Sequence, residues 1–162
     1  EISCSLVGSE MCIRDRSNVG KNPKRHFIDP SLGCAALNIT PEKLMNDLNT
    51  FGLYFEALCE RDLRIYAQNI GAKLYHYRDN VSGLEVDSII ELSDGEYGAI
   101  EIKLGSNMEE EAADNLKKFY NLAEVKPKFM CIICGLYNAV VKRKDGIYVL
   151  PITALKLSLI HI

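Results

Sequence analysis

The chain has 162 residues, 48% of them hydrophobic and 25% charged, with a formal net charge of −3 at pH 7. No apolar run reaches membrane-spanning length, and the overall balance lacks the basic excess that usually marks a nucleic-acid binder. A membrane anchor and a tight, self-sufficient DNA binder are therefore set aside, although a local basic patch beside an acidic site would give the same total.

The two ends read differently from the middle. Met11-Cys12-Ile13-Arg14-Asp15 can be encoded by ATG TGT ATA AGA GAC, followed by an AG that opens the codon of Arg16. The reverse complement of that DNA encodes the last six residues, Leu157-Ser158-Leu159-Ile160-His161-Ile162. Unrelated termini have no reason to be reverse complements, and the DNA resembles a transposase adapter used in preparing sequencing libraries. Residues 1–16 and 157–162 are thus expected to be translated adapter, with an ordinary tail as the alternative, and such scars are excluded from fold reasoning. Residues 17–156 remain as one domain fragment of about 140 residues, enough to bury a core.

Lys24–Ile28 alternates polar and apolar residues and predicts a strand before the Asp29-Pro30 helix-start signal. Ser31–Leu37 suits a short helix, and Thr40-Pro41 opens another, with Thr40 as N-cap and proline in the first turn. The longest helical pattern runs from about Asn49 to Ile70, with Leu53, Cys59, Leu63 and Tyr66 on its apolar stripe. Glu56 falls inside that stripe, where a carboxylate is costly unless paired or bound to a cation. Glu60, Arg61 and Arg64 are expected on the solvated face.

Three strands follow, Lys73–Arg78, Leu84–Glu91 and Tyr97–Lys103, joined by short turn-rich links that predict an antiparallel meander. Glu109–Ala123 reads as an amphipathic helix whose apolar face comprises Ala112, Ala113, Leu116, Phe119, Tyr120 and Ala123. Lys128–Cys134 and Gly146–Leu150 are two more strands, the first apolar enough to be central. Ile152–Leu155 starts a last helix. Cys131 and Cys134 form a C-x-x-C pair, but three positions apart on a strand they face opposite ways and do not chelate one metal. They read as core cysteines of a reducing cytoplasm.

Strand alternation places Glu101 and Lys103 on one face, with Ile100 and Ile102 on the other. On the preceding strand Asp87 shares its face with Glu85 and Ile89, while Leu84, Val86 and Ile90 point away. If Asp87 pairs opposite Glu101, two carboxylates lie close together beside an ammonium. Such carboxylates repel unless a cation joins them, and Mg²⁺ suits a few carboxylate oxygens with retained waters. The ion would activate a water and neutralise charge on a scissile phosphate, with Lys103 orienting the water and Glu56 completing the shell. This is how a metal-dependent phosphodiesterase site of the PD-(D/E)XK type is built. The same spacing also suits an exposed sheet face carrying a weak ion pair. His76 fits either a cleft wall or ordinary packing, and Arg78, two positions on, is a candidate phosphate contact.

The segments KRHFIDPSL, FGLYFEAL, LEVD, GAIEIKLG and DGIYVLPITAL together resemble the C-terminal domain of AAA+-type ATP-binding proteins known as domain of unknown function 4143. The likeness spans roughly Lys24 to Lys156. It implies an α/β, restriction-endonuclease-like core: a mixed sheet with an antiparallel three-strand meander and flanking helices. It also implies a preceding P-loop ATPase domain as partner and site of ATP binding; no Walker A motif occurs in this sequence, so that domain is expected to be missing from this fragment. The positions that match the resemblance are Glu56, Asp87, Glu101 and Lys103, with Asp87 and Glu101 as metal ligands. Two functions stay open: a cytoplasmic, Mg²⁺-dependent DNA-cleaving domain, and a non-catalytic module that binds a partner or DNA.

Overall fold

In the computed structural model, the described residues are 29–79 and 82–155. The strand expected over Lys24–Ile28 and both expected adapter segments lie outside them. The first three helices begin where short polar side chains take over the first unpaired backbone N–H groups. Asp29 accepts from Ser31 N at 2.9 Å to open α1 (Pro30–Ala36), and Thr40 accepts from Lys43 N to open α2 (Pro41–Asn46). Asp47 accepts from Thr50 N at 3.1 Å to open α3 (Leu48–Asn69).

Three strands then run as an antiparallel meander: β1 (Lys73–Arg78), β2 (Glu85–Glu91) and β3 (Tyr97–Lys103). Gly95 supplies the positive φ of the β2–β3 turn, 85°, a conformation cheap only for glycine. Helix α4 (Glu109–Leu122) carries the chain over to β4 (Phe129–Cys134), which lies parallel to β3. A short hairpin completes the sheet, β5 (Val141–Lys142) with β6 (Tyr148–Leu150), and a 3₁₀ turn over Ile152–Ala154 follows. The strand order is β1-β2-β3-β4-β6-β5, which makes β3 and β4 interior, as the apolar FMCIIC run foretells.

The mixed sheet is covered on both faces. On one side Leu116, Phe119, Ala112 and Ala113 of α4 pack with Tyr77, Val86, Ile89, Ala99, Ile132 and Val149. On the other, Phe55, Cys59, Leu63 and Ala67 of α3 pack with Ile90, Ile100, Ile102, Cys131 and Ile133. Full burial of an aliphatic side chain of this size stabilises by about 1.5–3 kcal/mol. Cys131 and Cys134 belong to opposite cores, as strand geometry requires, and burial pushes the Cys131 thiol up to about 12.

Two helix assignments change. The buried stripe of α3 runs Phe55-Cys59-Leu63-Ala67, at intervals of four, and Leu53 is 68% exposed. Glu60, expected in solvent, is only 5% exposed. Tyr120 of α4 is partly solvent-facing rather than in the core. The small hairpin is tied to the rest by Arg143, which bonds Glu109 and Glu110 at the start of α4 and Asp145 in its own turn. Lys117 of α4 reaches Asp145 at 3.3 Å from the other side.

Candidate metal and phosphate site

The meander is not regular where Asp87 stands. Tyr75 pairs with Ile89 and Tyr77 with Val86, so two steps along β1 oppose three along β2. One extra residue is therefore accommodated in β2 at Asp87-Ser88, a β-bulge. This corrects the alternation read from sequence: Val86 and Ile89 enter the same core, and only Ile90 turns to the other. The β2–β3 ladder stops at Ser88↔Ile100. Its continuation would set Asp87 against Glu101, but instead the Asp87 side chain bends to β3 and accepts from Ile102 N at 2.8 Å. A carboxylate replaces a backbone carbonyl as the ladder partner. The bulge has a cost next door, because the Ser88 hydroxyl is buried and makes no hydrogen bond.

From β3, Lys103 extends its ammonium to both acids. Nζ lies 2.8 Å from Glu101 Oε2 and 3.5 Å from Asp87 Oδ2. Glu101 is 2% exposed and Asp87 9%, so two carboxylates and one lysine meet almost out of contact with solvent. Burial pulls the Lys103 pKa down, yet the charges of Asp87 and Glu101 outweigh it and hold the group above its ordinary value. The acids and the base of the D-x(13)-E-x-K pattern thus converge in space, and the exposed-face alternative for this spacing does not apply.

The remaining candidates lie at different removes. Glu56 is half-buried on α3, and Glu60, one turn on, is the more deeply buried of the two. Both, like Asp87, lie within electrostatic reach of Cys59 on the face covered by α3. The Cys59 thiol is pushed well up by burial and then by the negative charges of Asp62, Glu60, Glu56 and Asp87. Glu60 is the acidic residue that pattern reading passed over. The signal was present, since Glu60 precedes Leu63 by three positions and Ala67 by seven, which puts it on the buried ridge. His76 faces the bulge, with Nδ1 3.5 Å from the Asp87 carbonyl oxygen. Arg78 is exposed at the end of β1 and pairs across the strands with Glu85 at 2.9 Å.

Among the described residues no group of three or more His, Cys, Asp or Glu side chains is arranged to hold a metal ion. That excludes a closed zinc cage built from described side chains, which takes four protein ligands. A Mg²⁺ site asks for less: one or two carboxylates suffice, with waters and a substrate phosphate supplying the rest. Asp87 and Glu101 fit such a donor set. No helix among the described residues is long and apolar enough to cross a membrane.

Residues 51–155 match the model of a family described as Domain of unknown function (DUF4143). No curated protein and no solved structure matches the chain.

Proposed function

The chain belongs to the DUF4143 family, and we propose that it is a PD-(D/E)XK-type, Mg²⁺-dependent phosphodiesterase domain that cleaves DNA. The observation that carries this reading is the buried meeting of Asp87, Glu101 and Lys103, with nitrogen–oxygen distances of 2.8 and 3.5 Å. The order of elements supports it: a helix, an antiparallel three-strand meander, a crossover helix and a strand parallel to the third. A bound divalent ion supplies a water of lowered pKa and neutralises charge building on the phosphate. Asp87 and Glu101 are the residues that would hold it. The Ile102 N–H fixes the orientation of the Asp87 carboxylate, and Lys103 offers its ammonium to the phosphoryl oxygens or the attacking water. Glu56 or Glu60 would position that water from α3, and Arg78 would contact the nucleic-acid backbone. In this proposal the domain is cytoplasmic and works beside an N-terminal ATPase domain that binds ATP.

The test uses plasmid, linear and single-stranded DNA with Mg²⁺ or Mn²⁺, with the chain alone and with the longer ATPase-bearing protein plus ATP. Cleavage should fall ~100-fold or more in Asp87→Asn and Lys103→Met, the scale set by losing one charge-stabilising group. Cleavage unaffected by Asp87→Ala and Lys103→Ala would remove the assignment. A second reading, a non-catalytic module that binds a partner or DNA, is favoured by the net charge of −3 and by the acids' existing pairing with Lys103. Calorimetry separates the two: heat of Mg²⁺ binding that vanishes in Glu101→Ala supports the nuclease, and no heat beyond that control supports the module.

A further inference from the structure

We infer that Lys103 is the resident counter-ion of the Asp87–Glu101 pair, and that a divalent cation enters the site only by exchanging with the lysine ammonium. The inference rests on the metal-dependent reading above and concerns how that site is loaded. Lys103 Nζ lies between the two acids, 2.8 Å from Glu101 Oε2 and 3.5 Å from Asp87 Oδ2. A Mg²⁺ ion needs carboxylate oxygens at about 2.0–2.1 Å and tolerates little distortion. An ammonium on Oε2 and Oδ2 competes for those oxygens, and two cations that close in a poorly solvated site repel strongly.

The surroundings leave few other arrangements. The Asp87 Oδ2 atom that faces Lys103 is also the acceptor for Ile102 N, so the aspartate is pinned from the backbone side. Glu101 sits on an interior strand between β2 and β4, where the side chain is nearly fully buried. The lysine is the member of the three with a long flexible stem, and its side chain is the most exposed, at 18%. It is therefore the one that swings. Once displaced, its ammonium is released toward the open side of the site, where a phosphate would lie. Metal binding and presentation of Lys103 to substrate become one event.

Mn²⁺ alone is the probe, followed through the electron paramagnetic resonance of the free ion, on the wild type, Lys103→Met, Lys103→Gln and Glu101→Gln. With the competing ammonium gone, the two Lys103 variants should bind Mn²⁺ about tenfold more tightly or better, and Glu101→Gln should lose binding. Mn²⁺ should also raise the melting temperature of the Lys103 variants more than that of the wild type. Equal or weaker binding by folded Lys103 variants overturns the exchange while leaving a metal site in place. Absence of Mn²⁺ binding in every protein overturns the metal reading itself. If the Lys103 variants do not fold, the wild type decides alone. Mg²⁺ addition should then shift the side-chain ammonium resonance of Lys103, and an unmoved resonance at saturating Mg²⁺ overturns the inference.

Discussion

Replacing Asp87 separates what that residue does for the fold from what it does for chemistry. Asp87→Ala removes the acceptor of a buried 2.8 Å bond from Ile102 N. A buried donor left without a partner costs about 1–3 kcal/mol. The larger penalty of an abandoned buried charge, about 3–5 kcal/mol, does not apply, because Lys103 keeps Glu101 at 2.8 Å. Asp87→Asn retains an amide oxygen that can accept from Ile102 N, so its loss of stability should stay below about 1 kcal/mol. For a domain of this size, each kcal/mol moves the melting temperature by about 2–4 °C. Urea unfolding followed by circular dichroism and tyrosine fluorescence is the assay, since the chain contains no tryptophan. Hydrogen exchange adds a local readout: the Ile102 amide should lose protection in Asp87→Ala and keep it in Asp87→Asn. Both variants should lose cleavage alike. Equal stability of the two, with the Ile102 amide equally protected, would refute the anchoring role assigned to the bulge.

Three further outcomes follow from the packing. A methyl group at Gly98 would meet the Phe129 ring at 2.1–2.6 Å, so Gly98→Ala should destabilise by about 1–3 kcal/mol. Most of that loss should be recovered relative to Phe129→Ala in the double variant, as a thermodynamic cycle would read. Ser88→Ala deletes a buried hydroxyl that has no partner and should leave stability unchanged or raise it by up to about 1 kcal/mol in urea melts. Burial raises the Asp145 pKa, but Arg143, the Ile147 N–H and Lys117 lower it further, so the net shift is downward from 3.8. A depressed carboxylate contributes stability above its unfolded value and loses it as pH falls through the folded one. Arg143→Met should therefore cost ~1 kcal/mol near neutrality, and its gap from wild type should close below about pH 4.

The first two helix starts were legible because each carries its own chemistry: Asp29-Pro30 and Thr40-Pro41 cap as their sequence suggests, whereas the Asp47 cap of α3 was passed over. The meander was equally readable from alternation and turn residues. The bulge at Asp87-Ser88 was not, because it carries no glycine and exists only in relation to β1. Strict alternation there mis-sorted Leu84 and Val86, which join Ile89 in one core, yet the bulge still delivers Asp87 to Lys103. Helix α3 failed differently. Taking Leu53 as the start of the apolar stripe rotated the wheel, which exposed Glu60 on paper and buried it in the fold. The two-residue strand β5 lies below the length at which any pattern can be recognised.

The central claim is that Asp87 and Glu101 together hold a divalent ion. Anomalous diffraction from crystals soaked in Mn²⁺ tests it most directly. A single peak is expected about 2.1 Å from an oxygen of each carboxylate, with the Lys103 ammonium withdrawn from its place between them. Crystals that bind Mn²⁺ only elsewhere, with Lys103 still bridging Glu101 and Asp87, would contradict the account.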